Sequence, residues 1–320
     1  MRTLVWIVVI VAATLALAFT FLGDPEVPRE VLLARYGKAP SQFVDLPSGA
    51  KAHYRDQGNK SGPAILLLHG SNASLHTWEP WVASLGNQFR VVTVDLPGHG
   101  LTIAHAGDDF TASSMAHFVD EFMTTLAVPQ YAIAGNSMGG GVAGRVAIQF
   151  PTRVTHLVLV DSAGVISPNM PPPPAFFYLV QTPGLRELLR LIPGRPVAEG
   201  TLKASFFNQA LVTPAMIDRY WELNRGPGIR IATRKRFSMG LNYYQGEDAF
   251  FRANMGKIDI PTLVLWGKQD KLIPVEAARI FKESIRGARM KIYDNGGHIL
   301  HEDLATQTAA DVAVFLTEPR

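Results

Sequence analysis

Short apolar runs alternate with amphipathic stretches along most of this 320-residue chain, and this alternation constrains the fold more than any other feature. Most of the runs are continuously apolar, which is typical of strands covered on both faces. Between them, apolar residues recur with helical spacing, as at Met115, Phe118, Val119 and Phe122. This alternation predicts an α/β fold, a mostly parallel sheet with helices on both faces. The predicted strands are Ala64 to Leu68, Arg90 to Asp95, Tyr131 to Asn136, Val154 to Asp161, Thr262 to Trp266 and Arg289 to Tyr293.

Two segments depart from this alternation. Phe43 to Asp56, with a turn at Pro47-Ser48-Gly49, predicts an antiparallel hairpin at the sheet edge. Residues 164–257 contain no comparable strand but carry helical patterns, and Thr213-Pro214 has the form of a helix start. We therefore expect a helical cap, an insertion in the chain that lies over the sheet. The predicted division is a core of residues 41–163 and 258–320 and a cap of residues 164–257.

The N-terminus has a different composition. Thr3 to Leu22 carries no charge over about 20 residues, enough for a helix that crosses a bilayer. We predict a single membrane anchor over residues 1–22, then a stalk over residues 23–40, with the main domain on the extracytoplasmic side. The alternative is a signal peptide cleaved at Ala16-Leu17-Ala18, which would leave a secreted protein.

Charge and cysteine content exclude several classes of function. The chain has 30 basic and 27 acidic residues, a net charge of +3, so nucleic acid is a poor candidate partner. The chain has no cysteine, which excludes disulfides, thiolate nucleophiles and zinc sites that use cysteine.

The clearest chemical signal is Gly135-Asn136-Ser137-Met138-Gly139, which follows a predicted strand and opens a predicted helix. A Ser on so sharp a turn needs small neighbours two residues away on each side, and both are Gly. The turn also aims the Met138 N–H at the group that Ser137 attacks, which suits a developing oxyanion. We therefore predict Ser137 as a nucleophile.

A Ser hydroxyl needs a base and an orienting acid before it can attack. His298 follows the last predicted strand and Asp270 follows the one before it, so the chain order is Ser, Asp, His. We predict His298 as the base and Asp270 as the acid. His301 and Asp161 remain as alternatives for these roles.

A second oxyanion donor is expected in the loop after the strand Ala64 to Leu68. His69-Gly70-Ser71-Asn72 occupies that position, and the backbone N–H of Ser71 is the predicted donor. We expect His69 to have a structural role. The sequence has no phosphate-binding glycine pattern, and we predict no cofactor and no metal.

Five motifs, HGSNASLHTW, DLPGHG, GNSMGG, WGKQD and GGH, occur in the order and spacing found in the α/β-hydrolase superfamily. The chain resembles most closely its membrane-anchored monoacylglycerol lipases and related carboxylesterases. The resemblance implies a serine hydrolase of lipid-like esters, with Ser137, Asp270 and His298 catalytic and Ser71 and Met138 as oxyanion donors.

Two other functions stay open. The GNSMGG motif also resembles meta-cleavage-product hydrolases, which break a carbon–carbon bond with the same triad. The same fold can also serve as a non-catalytic ligand receptor. Aromatic residues of the predicted cap, among them Phe176, Phe177 and Trp221, either line an acyl pocket or pack the cap onto the sheet.

Overall fold

A computed structural model describes residues 24–172, 182 and 194–318. Eight strands form one sheet in the order β1-β2-β4-β3-β5-β6-β7-β8. The pairs β1/β2 and β2/β4 are antiparallel, and the pairs from β4 through β8 are parallel. The strands are β1 Gln42–Asp45, β2 Lys51–Gly58, β3 Ala64–Leu68, β4 Arg90–Val94, β5 Tyr131–Asn136, β6 Val154–Val160, β7 Thr262–Gly267 and β8 Arg289–Tyr293.

Helices pack on both faces of the sheet because successive strand residues point to opposite sides. Along β3, Leu66 and Leu68 join one hydrophobic cluster, whereas Ile65 and Leu67 join another. The α/β fold and the edge hairpin are therefore confirmed. The described helices are α1 Arg29–Tyr36, α2 Glu79–Leu85, α3 Ala112–Thr125, α4 Met138–Gln149, α5 Gly194–Ser205, α6 Pro214–Leu223, α7 Ile229–Ser238, α8 Gly240–Asn254, α9 Glu276–Ser284, α10 Leu300–Asp303 and α11 Ala305–Thr317.

Helices α5 to α8 lie between β6 and β7 in the chain, within the predicted cap. The Thr213 hydroxyl accepts a hydrogen bond from the Met216 N–H at 3.2 Å, so α6 begins at the predicted Thr-Pro start. Residues 173–181 and 183–193 of the predicted cap, with Phe176 and Phe177, lie outside the described residues. The boundaries between core and cap stay a prediction.

The prediction of a membrane anchor needs correction. No helix within residues 24–172, 182 and 194–318 is long and apolar enough to cross a bilayer. The longest described helix, α8, has 15 residues, whereas a span needs about 20. The predicted span, Thr3 to Leu22, lies outside the described residues. The expected anchored localisation therefore has no support in the structure, and we withdraw it.

The segment predicted as a stalk contacts the rest of the protein. Helix α1 buries Leu32 in a cluster with Leu101 and Leu223. The Asp24 carboxylate forms an ion pair with Arg225 at 2.9 Å and accepts a hydrogen bond from the indole of Trp221 at 2.9 Å. The segment from Asp24 to the end of helix α1 therefore packs against helix α6 and the turn that follows it.

Candidate active site

Parallel pairing brings the carboxyl ends of five strands to one edge of the sheet. Leu68 of β3 pairs with Gly135 of β5, and Asn136 pairs with Val160 of β6. Strand β7 continues this edge, because Gly267 at its end pairs with Tyr293 of β8. The loops after these strands carry all the predicted site residues, so tertiary structure gathers them at a single edge, as expected for an open α/β sheet.

Ser137 occupies a strained turn between β5 and α4. Its backbone angles are φ 53° and ψ −120°, a conformation that a non-glycine residue rarely adopts. A Cβ at Gly135 would lie 2.1 Å from the Gly139 carbonyl oxygen, and one at Gly139 would lie 2.3 Å from the Leu68 oxygen. Both positions therefore exclude a side chain, which is the reason for Gly that the motif predicted.

The backbone around Ser137 is held on several sides. Its N–H donates to the Val160 carbonyl at 3.1 Å, and its own carbonyl accepts from the N–H groups of Gly140, Gly141 and Ala163 at 3.0, 3.1 and 2.9 Å. These bonds fix the turn despite its strain. The Ser137 side chain is only partly buried, so it remains accessible.

The structure brings together His298 and Asp270, the predicted base and acid. His298 Nδ1 and Asp270 Oδ2 are 2.7 Å apart, and their side chains are 8% and 0% exposed. The other carboxylate oxygen of Asp270 accepts the N–H groups of Leu272 and Ile273 at 2.7 and 3.0 Å. Because Nδ1 is engaged by Asp270, Nε2 is the ring nitrogen left for proton transfer.

Asn136 connects the Ser137 turn to the His298 loop, and sequence reasoning gave it no role. Its side-chain amide donates to the carbonyl oxygens of His298 at 2.9 Å and Val160 at 3.2 Å. Its position directly before Ser137 in the motif was the available signal. Within the described part of the chain, no hydrogen bond joins the Ser137 hydroxyl to His298 itself. Catalytic hydrogen bonds are often long without substrate.

The two alternative residues occupy other environments. The Asp161 carboxyl is fully buried and accepts the Gly267 N–H at 2.8 Å. Burial, together with the nearby Asp270 carboxylate, raises its pKa well above the usual range. His301 Nε2 lies 2.8 Å from the Thr77 hydroxyl, and its ring lies against Trp78 at 4.0 Å between centroids. Burial lowers the pKa of His301 well below its usual range, so it is a poor base.

The predicted oxyanion donors flank the Ser137 turn. Met138 is the first residue of α4, and the first amides of a helix have no partner within it. A Cβ at Gly70, the residue before Ser71, would lie 3.2 Å from Ser137 Cβ, so the two loops touch. The chain between β6 and β7, called the insertion below, also reaches this loop, because the Asn224 side chain donates to the Asn72 carbonyl at 2.6 Å.

His69 and Asp95 serve the scaffold. His69 Nε2 accepts the Leu96 N–H at 3.0 Å, as its expected structural role requires. The Asp95 carboxylate binds His53 Nδ1 at 2.6 Å and the N–H groups of Leu75 and Leu101 at 2.7 and 2.8 Å. In the described residues, no group of three or more His, Asp or Glu side chains has an arrangement suited to a metal ion.

Comparison with known proteins identifies the family. A family model described as alpha/beta hydrolase fold matches residues 63–304, which include every predicted site residue. The chain is an α/β-hydrolase. This assignment agrees with the sheet order and with the Ser turn at the end of β5.

Individual α/β-hydrolases resemble the chain over most of its length. Monoacylglycerol lipase abhd6-A of Xenopus laevis is 28% identical over 285 residues, covering 81% of this chain and 76% of that protein. The 2-hydroxymuconate semialdehyde hydrolase of a Pseudomonas species is 25% identical and covers 92% of this chain and 96% of its own. The enol-lactonase structure from Burkholderia xenovorans has a TM-score of 0.70 at 24% identity, covering 87% of this chain and 100% of that one. The lipase and the semialdehyde hydrolase support hydrolase activity, and the solved structure supports the fold.

Proposed function

We propose that this α/β-hydrolase cleaves carboxylic esters through an acyl-enzyme on Ser137. The observation that carries the proposal is the buried Asp270–His298 pair at 2.7 Å, held beside the Ser137 turn through Asn136. A base fixed by a buried carboxylate next to a strained, accessible Ser is the arrangement that activates a hydroxyl group.

The proposed reaction has two halves. Ser137 Oγ attacks the ester carbonyl while His298 Nε2 takes its proton, and the amides of Ser71 and Met138 hold the oxyanion. His298 then gives the proton to the departing alcohol, which leaves an acyl group on Ser137. Water attacks this acyl-enzyme, His298 takes a proton from the water, and the acid leaves as Ser137 recovers its proton.

We further propose lipid-like esters, including monoacylglycerols, as substrates. The similarity to a monoacylglycerol lipase supports this class. The described aromatic residues of the insertion give little support for an acyl pocket, because several of them are engaged elsewhere. Phe206 and Phe251 are buried, the Trp221 indole binds Asp24, and the Tyr243 hydroxyl accepts the Ala112 N–H.

A fluorophosphonate probe tests the proposed chemistry, because it labels only an activated Ser. We expect covalent labelling of the wild-type protein and none of Ser137→Ala. Asp294→Asn, which alters a carboxylate exposed on the surface, is a matched control that should label like the wild type. A folded wild-type protein that does not label would contradict the proposal and favour a ligand receptor.

A carbon–carbon bond hydrolase is the second candidate. The similarity to 2-hydroxymuconate semialdehyde hydrolase over 92% of this chain favours it. The test is to compare kcat/KM for p-nitrophenyl esters, monoacylglycerols and a meta-cleavage product with one enzyme preparation. We expect the esters to be preferred. A preference for the meta-cleavage product by about 100-fold or more would assign the carbon–carbon activity instead.

A further inference from the structure

The carboxylate of Asp303 connects the loop before His298 to the insertion. Asp303 ends α10, and only 7% of it is exposed. Its Oδ2 accepts the N–H groups of Gly297 at 2.8 Å and Phe207 at 2.7 Å, and its Oδ1 accepts the Asn208 N–H at 3.0 Å. One buried carboxylate therefore serves amides from two chain segments that are about 90 residues apart.

A second set of contacts joins the same two segments. The Ser205 carbonyl at the end of α5 accepts the N–H groups of His298 at 2.8 Å and Ile299 at 3.3 Å. A Cβ at Gly297 would lie 2.5 Å from the Ser205 oxygen and 2.6 Å from the Phe207 nitrogen. The backbone of residues 205–208 therefore lies directly against the backbone of residues 297–299, with no space for a side chain between them.

This contact bears on His298 because the residue is held at two places, its ring and its backbone. Asp270 restrains the ring at Nδ1, whereas the backbone is restrained by Asn136, Ser205 and the Asp303 carboxylate. With the Asp270 contact alone, the ring would still move together with the backbone of its loop. A displacement of about 1 Å at a catalytic group can cost about 100-fold in rate.

Building on the proposed function, we propose that Asp303 is a positioning residue for His298. Its carboxylate fixes the Gly297 amide to the 207–208 segment, so that Nε2 reaches the Ser137 hydroxyl only when the insertion is in place. The insertion thereby acts on the chemical step as well as on substrate binding. Asp303 does not touch the substrate in this proposal.

The test uses kcat and KM for p-nitrophenyl acetate, an ester too short to depend on an acyl pocket. We expect Asp303→Ala to lower kcat by about 100-fold with KM changed less than about threefold, because the base is displaced while binding is retained. Asp303→Asn keeps one oxygen that can accept the Gly297 and Phe207 amides. It should recover kcat to within about tenfold of the wild type.

Glu302→Ala is the matched control. Glu302 is the neighbouring acid and also links the insertion to the core, through the Tyr220 hydroxyl at 3.0 Å and the Thr77 hydroxyl. Among the described residues, its carboxylate forms no hydrogen bond with Gly297 or His298. Loss of the Glu302 carboxylate should lower the melting temperature, while kcat stays within about threefold of the wild-type value. Equal losses of kcat in both Ala variants would overturn the proposal, because general loosening would then explain both.

Two further outcomes are decisive. If Asp303→Ala lowers kcat/KM only through KM, or if Asp303→Asn is as slow as Asp303→Ala, the positioning role is wrong.

If Asp303→Ala does not fold, Asp303→Ser replaces it, since a hydroxyl on Cβ does not reach the three amides. The wild-type protein is first labelled with fluorophosphonate. Absence of that labelling refutes the proposed function, whereas labelling with the wrong variant pattern refutes only the role of Asp303.

Discussion

Two buried carboxyl groups, Asp161 and Asp270, lie close enough for their charges to interact, yet only Asp270 contacts the imidazole of His298. Three hydrogen bonds reach the Asp270 carboxylate, from two backbone amides and the His298 ring. Oδ2 of Asp161 is fully buried and has no hydrogen-bond partner among the described residues, which suits a protonated carboxyl group. Asp161 and Asp270 both follow strands, and their different surroundings therefore give them different roles.

Substitution of the triad residues should abolish ester turnover without unfolding the protein. We expect kcat/KM to fall by about 10⁴-fold or more in Ser137→Ala and His298→Ala, and by about 10³-fold or more in Asp270→Asn, which loses the partner that fixes the His298 tautomer. Asp161→Asn is the matched control, and it should stay within about tenfold of the wild type. A severe loss in Asp161→Asn with a mild loss in Asp270→Asn would move the acid to β6.

The raised pKa of Asp161 predicts a specific dependence of stability on pH. Its folded-state pKa lies above the ordinary value of 3.8, so the folded protein favours the protonated form. The contribution of Asp161 to stability is therefore complete below about pH 3.8 and is lost as pH rises through the folded-state value. Asp161→Asn lacks this loss, and its amide oxygen can still accept the Gly267 N–H. Urea unfolding across pH should show Asp161→Asn gaining stability relative to the wild type as pH rises, and a constant difference would contradict this account.

At the scale of single elements, capping residues provide the clearest test of local stability. The Thr111 hydroxyl accepts the Ser114 N–H at 3.1 Å at the start of α3, which satisfies one amide that the helix leaves unpaired. Thr111→Ala should lower the free energy of unfolding by about 1 kcal/mol in urea titrations. Thr124→Ala in the same helix is the control, because that hydroxyl is a donor to the Asp120 carbonyl one turn earlier and does not act as a cap. Its effect should stay within about 0.5 kcal/mol, and equal losses would exclude capping as the cause.

At the scale of the whole molecule, the segment from Asp24 to Tyr36 contributes to the fold. The Arg35 guanidinium and the Tyr36 hydroxyl both bind Glu222, the latter at 2.8 Å, and Leu32 is 1% exposed. Deletion of residues 1–23 leaves all these contacts in place and should leave ester turnover and the melting temperature unchanged. Deletion of residues 1–36 removes these contacts and should lower the free energy of unfolding by at least about 2 kcal/mol, because burial of the Leu32 side chain is lost. Equal melting temperatures for the two truncations, measured by circular dichroism, would contradict this.

Substrate selection is also a property of the assembled molecule. If a pocket encloses the acyl chain, kcat/KM should rise about fourfold per added CH₂, the equivalent of about 0.8 kcal/mol, until the pocket is full. Initial rates with p-nitrophenyl acetate through laurate measure this slope. A flat profile would remove the lipid-ester substrate class and favour small esters or the carbon–carbon bond hydrolase.

The sequence by itself determined the strands, the direction of most of the sheet, and which residues stand after which strands. These features follow from local patterns, because apolar runs of strand length and apolar residues at helical spacing can be recognised within each segment separately. The Ser137 turn was also predictable, because its strain dictates Gly135 and Gly139 beside it in sequence. The same local method proposed an N-terminal membrane anchor, and the described residues contain no helix that supports it.

Only the tertiary structure decided which of the residues that follow the strands contact one another. Asp161 and Asp270 both follow strands in the sequence, and each accepts at least one backbone N–H. The tertiary difference between them is the His298 imidazole, which folding brings to Asp270. The link from Asn136 to the His298 loop, and the link from Asp303 to residues 207–208, were not predictable for the same reason. Their hydrogen bonds span 162 residues in one case and 95 or more in another. Such contacts depend on the packing of distant backbone segments, and no local pattern in the sequence encodes that distance.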